Sequence, residues 1–355
     1  MSAGGRVLLL CGGRSGEHEV SLASAASVLA AAEDRLDLLP RVIARDGRLL
    51  SEAASRHALQ AGRSDAPDPD AAPDPVRGLA SLADGEVDVV FPLLHGPNGE
   101  DGTIQGLLSV LDVPFVGSGV LGSAAGMDKP TMKRIFASAG VPQVAWAEVH
   151  RADWRDDPDA ASPALAHLPW PRFVKPAALG SSVGIGRADD TAGQADALHE
   201  AFRWDDRAIV EAGVTDGREL EVAVLGNEAP QASPPGEIRV PKGAFYDYAH
   251  KYQDGATELR VPAPLDPATA NAVQAWAVQA FRLVGAAGLA RVDFFLRPDG
   301  EVLVNEINTM PGFTRHSMYP KLFQAAGLSY PDLIVQLIAL ARARHAAASA
   351  RTVDA

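Results

Sequence analysis

Residues 289–308 form two apolar-rich segments whose oxygen-bearing side chains are spaced in a way that could bind a metal ion. The segments are separated by residues 297–300, and the Asp-Gly pair there predicts a two-residue hairpin turn. With that turn Asp293 lies opposite Glu306, and Arg291 lies opposite Asn308, all on one face. Opposed carboxylates about 5 Å apart repel each other unless a cation lies between them. Carboxylate and amide oxygens suit Mg²⁺ that bridges to phosphates, so the hairpin predicts a metal site.

The alternative is a solvated strand face, on which such side chains simply meet water. Apolar residues weaken it, because Phe294, Phe295, Leu303 and Ile307 supply both faces of the hairpin. We therefore expect the hairpin to be largely buried, and a buried carboxylate needs a partner.

A phosphate-binding element is predicted around Lys175, which ends a strand and is followed by the Gly-Ser-Ser-Val-Gly loop at 180–184. Such a loop can cover phosphates and offer backbone N–H groups, while the lysine supplies a compact positive charge. A tight turn between two strands is the alternative. The chain has no Gly-x-x-x-x-Gly-Lys-Ser/Thr motif, and its glycine turn at 12–16 lacks the Gly-x-Gly-x-x-Gly spacing, which disfavours P-loop and NAD sites.

The elements that position these residues follow from hydrophobic periodicity. A strand at 6–11, the glycine turn and a helix at 20–32 predict a parallel α/β unit. The Pro- and Asp-rich segment 64–76 predicts an exposed loop insertion without a packed element. Further strands are expected at 87–94, 113–116, 172–175, 183–187, 208–211 and 219–225. Further helices are expected at 103–111, 129–139, 268–284 and 328–344.

Composition limits the classes of function. The 355 residues are 47% hydrophobic and 22% charged, which is ordinary for two or three packed domains, and the net charge is −13. No basic cluster offsets that charge, so a nucleic-acid partner is not expected. Cys11 should be buried and reduced, and the first apolar run stops at Gly12, too short for a signal peptide or a membrane span. These features favour a cytoplasmic protein without a membrane partner.

Taken together, seven motifs resemble the ATP-grasp fold, and in particular the D-alanine:D-alanine ligase family. They occur in family order between about residues 6 and 317, at 12–21, 95–103, 127–129, 175–176, 180–184, 246–252 and 305–314. The resemblance implies an α/β (α+β) protein of three domains. It places a parallel α/β domain at 1–117, two ATP-grasp domains at 118–214 and 215–346, and a tail at 347–355.

The resemblance also implies how the nucleotide and metals are bound. Lys129 and Lys175 resemble the lysines that hold ATP phosphates, and Ser182 belongs to the covering loop. Glu211 and Glu219 look like the residues that face adenine and ribose. Asp293, Glu306 and Asn308 match the ligands of two Mg²⁺ or Mn²⁺ ions.

The first D-alanine is implied to bind near the glycine turn. Glu17 matches the carboxylate that pairs with its ammonium group, and His95 lies nearby in the family. Ser181 and Tyr252 are expected to hydrogen-bond with Glu17 and hold mobile loops shut.

The reacting centre is implied by a second set of matches. Arg291 and the backbone N–H of Gly312 resemble the oxyanion site, and Lys251 is placed toward the transferred phosphate. Ser317 and Met318 match the pocket for the carboxylate of the second D-alanine.

These matches imply that a homodimer forms D-alanyl-D-alanine for peptidoglycan through a D-alanyl phosphate. One alternative is a related ligase that uses D-serine or D-lactate, for which Glu17 and the loop at 251–252 are the discriminating features. Another is a nucleotide-binding protein without catalysis, which would bind ATP and release no phosphate.

Overall fold

The computed structural model describes residues 5–82, 85–156, 165–239 and 258–351. A parallel sheet of order β2-β1-β3 opens the chain, as predicted, and consists of β1 (Arg6–Gly12), β2 (Asp37–Ile43) and β3 (Val89–Pro92). Cys11 is fully buried in β1, as expected. The expected strand at 113–116 is reduced to one parallel bridge between Val90 and Phe115.

Four helices flank this sheet: α1 (His18–Ala32), α2 (Glu52–Ala61), α3 (Pro75–Leu82) and α4 (Thr103–Val110). Helix α1 follows the glycine turn, in which Gly12 has a φ of +87°. A Cβ at Gly12 would lie 2.3 Å from the carbonyl oxygen of Ile43, so only glycine fits this turn.

The prediction of an exposed insertion at 64–76 is wrong for part of the segment. Asp68 is buried and accepts a hydrogen bond from the backbone N–H of Ser51, the N-cap residue of α2, at 2.7 Å. Ala72 pairs with Leu49 in an antiparallel bridge, with N···O distances of 2.9 and 3.0 Å. The prolines of this segment lack backbone donors. Its aspartates, however, accept hydrogen bonds from the backbone of neighbouring elements, so the segment packs against them.

A four-stranded antiparallel sheet of order β4-β7-β5-β6 forms the second layer. Its strands are β4 (Trp146–His150), β5 (Arg172–Pro176), β6 (Gly186–Ala188) and β7 (Arg207–Ala212). Helices α7 (Arg151–Asp156) and α8 (Thr191–Ala201) lie beside it. The strand expected at 183–187 begins only at Gly186, so the Gly-Ser loop before it is longer than predicted.

The third sheet holds the acidic hairpin and has the order β11-β10-β8-β12-β13, with β9 paired to β8. Its strands are β8 (Arg218–Gly226), β9 (Gln231–Ala232), β10 (Gly236–Arg239), β11 (Glu258–Arg260), β12 (Gly288–Leu296) and β13 (Val302–Asn308). The helices α5 (Val120–Met127), α6 (Lys129–Ser138) and α9 (Pro267–Leu283) cover one face. Met132 and Phe136 of α6 share a core with Phe281 of α9.

Two further helices, α10 (Met318–Ala325) and α11 (Tyr330–Ser349), join the first sheet to the third. Tyr319 and Leu337 lie in one core cluster with Leu22 of α1. Across the described ranges no single helix is long and apolar enough to cross a membrane. Helices α10 and α11 reach that length and composition only as a pair, which is bent by 102°.

Candidate active site

The acidic face of the hairpin is formed as the sequence predicts. Arg291 pairs with Asn308, and Asp293 pairs with Glu306, across β12 and β13. The guanidinium of Arg291 donates two hydrogen bonds of 2.7 Å to the two carboxylate oxygens of Asp293. The side-chain amide of Asn308 donates to Asp293 Oδ2 at 3.1 Å. The predicted convergence of these side chains is therefore confirmed.

The predicted turn, however, is wrong by one residue. The backbone N–H of Arg297 bonds to the carbonyl of Glu301 at 2.9 Å, which encloses three residues instead of two. Gly300 closes this turn with a φ of +92°. A β-bulge at Asn305 then shifts the register back, so that Glu306 still lies opposite Asp293.

Glu221 is an acidic residue of this face that the sequence argument missed. It lies opposite Asp293 on β8, is 4% exposed, and its Oε2 is 3.2 Å from Arg291 Nε. Period 2 along β8 places Glu219 on the same face, so alternation from Glu219 could have identified Glu221.

A divalent cation fits the donors that the hairpin offers. Asp293, Glu306 and Asn308 carry carboxylate and amide oxygens, which are hard ligands of the kind that Mg²⁺ prefers, although Arg291 and the Asn308 amide N–H donate to Asp293 in this structure. In the described part of the chain, no three His, Cys, Asp or Glu side chains form a metal-binding group. The predicted set contains only two carboxylates and one amide, so its fit rests on the donor chemistry and on the cavity that Asp293 and Glu306 line.

A cavity of about 600 Å³ lies between the second and third sheets. Phe173 and Val144 contribute apolar walls, and the Gly-Ser loop closes one side. All five predicted nucleotide-binding residues line it, together with two of the predicted metal ligands: Lys129, Lys175, Ser182, Glu211, Glu219, Asp293 and Glu306. The structure thus brings these residues into one site.

The two predicted phosphate lysines already have oxygen partners. Lys175 Nζ lies 2.6 Å from Glu211 Oε2 and donates to Asn305 Oδ1 at 3.3 Å. Burial alone would lower the pKa of Lys175, but Glu211 and Glu306 outweigh it, so that this pKa lies above its ordinary value. Lys129 Nζ donates to the carbonyl oxygen of Leu179, which precedes the Gly-Ser loop, at 2.6 Å.

Lys133 is a cation of this region that the sequence argument missed. It is 1% exposed, and its Nζ lies 2.6 Å from Glu211 Oε1. Burial opposes ionisation of Glu211, but Lys133 and Lys175 together lower the pKa of its carboxyl group to about 2. Lys133 follows Lys129 by one helical turn on α6, a spacing that could have suggested a shared face.

A hydrogen bond joins two distant parts of the chain at the edge of the cavity. Ser181 Oγ donates to Glu17 Oε1, as the family resemblance implies. Glu17 is the N-cap residue of α1, where a negative charge is favoured by the helix dipole. Ser181 and Ser182 have φ values of +53° and +59°, an unusual conformation for residues with a Cβ.

Glu100 is a second carboxyl group that faces Glu17 and was not singled out from the sequence. Its Oε1 accepts a hydrogen bond from the backbone N–H of Gly96 at 2.8 Å. A Cβ at Gly180 would lie 3.2 Å from Glu17 Oε2 and 3.7 Å from Glu100 Oε1, so both carboxyl groups face the same small space. Burial, followed by the charge of Glu17, raises the pKa of Glu100 to about 8.

His95 connects the first sheet to the loop after β13. Its Nδ1 lies 3.1 Å from the carbonyl oxygen of Met310, and its Nε2 lies 3.2 Å from Ser24 Oγ. Burial lowers the pKa of His95, against the opposing effect of Glu17, which favours the neutral ring. Nδ1 then donates to Met310, and Nε2 accepts from Ser24. Nδ1 thus holds the loop, and Nε2 joins the ring to α1.

That loop carries Gly312, expected at the oxyanion site, and leads to Ser317 and Met318, expected to bind the second substrate. An added Cβ at Gly312 would lie 3.3 Å from Ser317 Oγ, so the two predicted residues are neighbours. Ser317 Oγ accepts from the backbone N–H of Thr314 at 3.1 Å, and Met318 is buried at the start of α10. The predicted residues Lys251 and Tyr252 lie outside the described residues.

Comparison with known proteins identifies the family. Residues 6–118 match the family described as D-ala D-ala ligase N-terminus, and residues 135–339 match D-ala D-ala ligase C-terminus. The chain is 51% identical to the D-alanine--D-alanine ligase of Deinococcus radiodurans over 339 residues, which cover 95% of this chain and 98% of that protein. It is 47% identical to the enzyme of the same name from Listeria monocytogenes, over 97% of both chains.

Solved structures give the same result at lower identity. The D-alanine-D-alanine ligase from Coxiella burnetii superposes with a TM-score of 0.79 at 35% identity, covering 98% of this chain and 96% of that one. The VanG D-Ala:D-Ser ligase from Enterococcus faecalis superposes with a TM-score of 0.83 at 32% identity, covering 95% and 99%. The fold, the cavity with its lysines and acidic hairpin, and these full-length matches lead to one conclusion: the chain belongs to the D-alanine--D-alanine ligase family.

Proposed function

We propose that this protein joins two molecules of D-alanine into D-alanyl-D-alanine for peptidoglycan synthesis, with conversion of ATP to ADP and phosphate. The observation that carries the proposal is the composition of the cavity. It combines the cations Lys129 and Lys175 with the carboxylates Asp293 and Glu306. The Glu17–Ser181 hydrogen bond borders the same space, because Ser181 also lines the cavity.

The chemistry requires activation of the first carboxylate, because a carboxylate does not condense with an amine while its leaving group would be oxide. We propose that the first D-alanine attacks the γ-phosphate of ATP in line and forms D-alanyl phosphate. Lys175 and Arg291 then offset the charge that develops on the transferred group. Magnesium ions held by Asp293, Glu306 and Asn308 would supply further charge neutralisation at the β- and γ-phosphates.

In the second step the ammonium group of the second D-alanine loses a proton to a base, and the resulting amine attacks the carbonyl carbon of the acyl phosphate. This attack creates a tetrahedral oxyanion, for which Arg291 and the Gly312 N–H are the proposed donors, and phosphate leaves. Ser317 and Met318 are the proposed site for the carboxylate of this second molecule. An acyl phosphate hydrolyses in water, so we propose that the loop at Ser181 and the loop at 251–252 exclude solvent during the reaction.

The proposal extends to organisation, with three domains at 1–117, 118–214 and 215–346 and a tail at 347–355. It also includes a homodimer located in the cytoplasm. The resemblance to the family supports the dimer, and the acidic composition, with a net charge of −13, supports the absence of a nucleic-acid partner.

A second candidate is ligation of D-alanine to D-serine. The superposition on the D-Ala:D-Ser ligase of Enterococcus faecalis, over 95% of this chain, favours it. The higher identity, 51%, to the enzyme of Deinococcus radiodurans favours D-alanine as the second substrate.

Phosphate release with ATP and Mg²⁺ tests the proposal when D-alanine, L-alanine, D-serine and D-lactate are compared. We expect release with D-alanine that exceeds release with each of the other three, and D-alanyl-D-alanine as the product by mass spectrometry. The variant Glu17→Gln, which lacks the proposed partner of the ammonium group, should need a higher D-alanine concentration. ATP binding without D-alanine-dependent release would contradict the proposal, and faster release with D-alanine plus D-serine would favour the second candidate.

A further inference from the structure

Lys133 is a buried cation to which the proposed reaction gives no role. It projects from α6 and is 1% exposed, and its ammonium group lies 2.6 Å from Glu211 Oε1. It also donates to the carbonyl oxygen of Asn305 at 3.5 Å. A lysine is almost never buried to this degree unless it is paired, so its position requires an explanation.

Glu211 has two cationic partners on its two oxygens. Lys133 lies 2.6 Å from Oε1, and Lys175 lies 2.6 Å from Oε2. At least one of the two lysines must stay paired with Glu211, because a buried carboxylate that loses all its counter-charge is strongly destabilised.

The two lysines differ in their access to the cavity. Lys175 and Glu211 line the cavity, together with the apolar walls Phe173 and Val144, whereas Lys133 is not among the lining residues. In the proposed function Lys175 contacts the phosphates of ATP. Lys133 does not face the phosphates, so its ion pair with Glu211 does not depend on whether a nucleotide is bound.

We infer that Lys133 is a positioning residue for nucleobase specificity: it holds Glu211 ionised and in place while Lys175 turns to the phosphates. This inference rests on the proposed function and on the family resemblance, which implies that Glu211 and Glu219 face the adenine and ribose of ATP. An ionised carboxylate only accepts hydrogen bonds, so it pairs with the 6-amino group of adenine. A 6-oxo purine would place a carbonyl oxygen against the same carboxylate, and this contact is repulsive.

The consequence for a Lys133→Met variant follows from the same geometry. Without Lys133, Lys175 is the only cation that still pairs with Glu211. Whenever Lys175 contacts phosphate instead, Glu211 is left with a buried, uncompensated charge. The carboxyl group then takes up a proton, becomes able to donate, and tolerates a 6-oxo group. We expect the ratio of ADP to IDP affinity to fall by about tenfold or more, the scale of one hydrogen bond to a charged group.

The experiment measures ADP and IDP binding by calorimetry, and D-alanine-dependent turnover with ATP and ITP, in four proteins. These are the wild type, Lys133→Met, Glu211→Gln and the double variant. Arg134→Met is the matched control, because Arg134 is the next residue on α6 and its side chain is 56% exposed in an ion pair with Glu148. The control should keep the wild-type preference, and the KM for ATP should rise more than kcat falls in Lys133→Met.

The double variant separates positioning from a general loss of structure. If Lys133 acts through Glu211, replacing it in the Glu211→Gln background should change the ADP:IDP ratio by less than about twofold. Glu211→Gln keeps the shape of the side chain and should itself lower the ratio of ADP to IDP affinity. It therefore tests the inference even if Lys133→Met does not fold. An unchanged ratio in folded Lys133→Met, or in Glu211→Gln, overturns the inference.

The two proposals fail differently. A wild type that releases no phosphate with D-alanine contradicts the proposed function, and nucleotide binding still reports on Lys133. A wild type that is active, with the same base preference in Lys133→Met, contradicts only the inference.

Discussion

Carboxyl groups of one chemical type are tuned in opposite directions by their neighbours in this site. Glu211, between Lys133 and Lys175, has its pKa lowered to about 2 although it is buried. Glu100, half-buried beside Glu17, has its pKa raised to about 8. Burial disfavours the charged form in both cases, so the sign of the nearest charge decides the outcome.

The hydrogen bond from Ser181 to Glu17 predicts the effect of removing one hydroxyl group. Ser181→Ala should lower kcat/KM for D-alanine by roughly 10- to 100-fold, because a hydrogen bond to a charged group contributes about 1.5–3 kcal/mol. Steady-state phosphate release checks this. The melting temperature should change little, since Ser181 lies in a loop and not in a core.

Ser109→Ala is the matched control for that variant. Its hydroxyl donates to the carbonyl of Gln105 within α4, at 2.7 Å, and is not part of the cavity. Its activity should stay within about twofold of the wild type, well below one tenfold step. Equal losses in both variants would contradict a specific role for Ser181.

Glu100 predicts a pH dependence of stability. Its pKa in the folded state is about 8, above the ordinary value of 4.5, so its contribution is fully present below 4.5 and is lost as pH rises through 8. Glu100→Gln does not titrate. Relative to the wild type, this variant should therefore gain on the order of 1–3 kcal/mol of unfolding free energy between about pH 5 and about pH 9.

Denaturant titration at both pH values measures that difference. The control is Glu258→Gln, since Arg260 lowers the pKa of Glu258, which stays ionised over the whole range. A pH-independent difference for Glu100→Gln would show that the pKa of Glu100 is not raised in the folded state.

Single residues also show which parts of the site can be read from sequence. Asp293 and Glu306 were found because strand alternation and a turn signal are local. Lys133 could not be identified in this way, because in the sequence it resembles any charged residue of an amphipathic helix. Its partner Glu211 lies 78 positions later in the chain. Pairing of that kind depends on tertiary contacts that no local pattern records.

At the scale of elements, the hairpin reached the predicted pairing through two offsetting departures. A three-residue turn moved the register by one position, and the bulge at Asn305 moved it back. Alternation of apolar residues specified which face each strand buries, and that requirement is stronger than the preference for a particular turn.

Gly300 predicts the cost of disturbing the turn. Its φ is +92°, and a Cβ there would meet no atom within 4 Å, so the strain of Gly300→Ala is purely conformational. We expect about 1 kcal/mol of lost unfolding free energy with an unchanged KM for ATP. Gly300→Asn is the control and should cost less, because asparagine tolerates a positive φ. A raised KM for ATP would show that a change in the turn is transmitted past the bulge to the acidic face.

At the scale of the whole molecule, residues from both ends of the chain share one core. Phe313 is fully buried, with its ring centroid 5.4 Å from that of Phe91 and 5.6 Å from that of Tyr330. The parallel α/β unit was predictable from periodicity at 6–32. Its packing against α10 and α11 was not, because the contact joins segments about 300 residues apart in a chain of 355.

Phe313 predicts how strongly this shared core stabilises the fold. Phe313→Ala should lower the unfolding free energy by about 3–5 kcal/mol, through lost burial and the cavity left behind. Urea denaturation provides the measurement. Val110→Ala, at a site 85% exposed, is the control and should change it by less than about 0.5 kcal/mol. A loss below 1 kcal/mol for Phe313→Ala would mean that the two ends of the chain are only loosely joined.

The two carboxylate oxygens of Glu17 have different surroundings. Oε1 accepts from Ser181, while Oε2 faces Gly96 and Gly180, where added methyl groups would lie only 3.0 and 3.2 Å away. The hydrogen bond from Ser181 therefore leaves Oε2 available as an acceptor for the ammonium group of the proposed substrate. In the proposed function, substrate binding and loop closure would share this one carboxylate, and Gly96 and Gly180, which lack side chains, leave its second oxygen accessible.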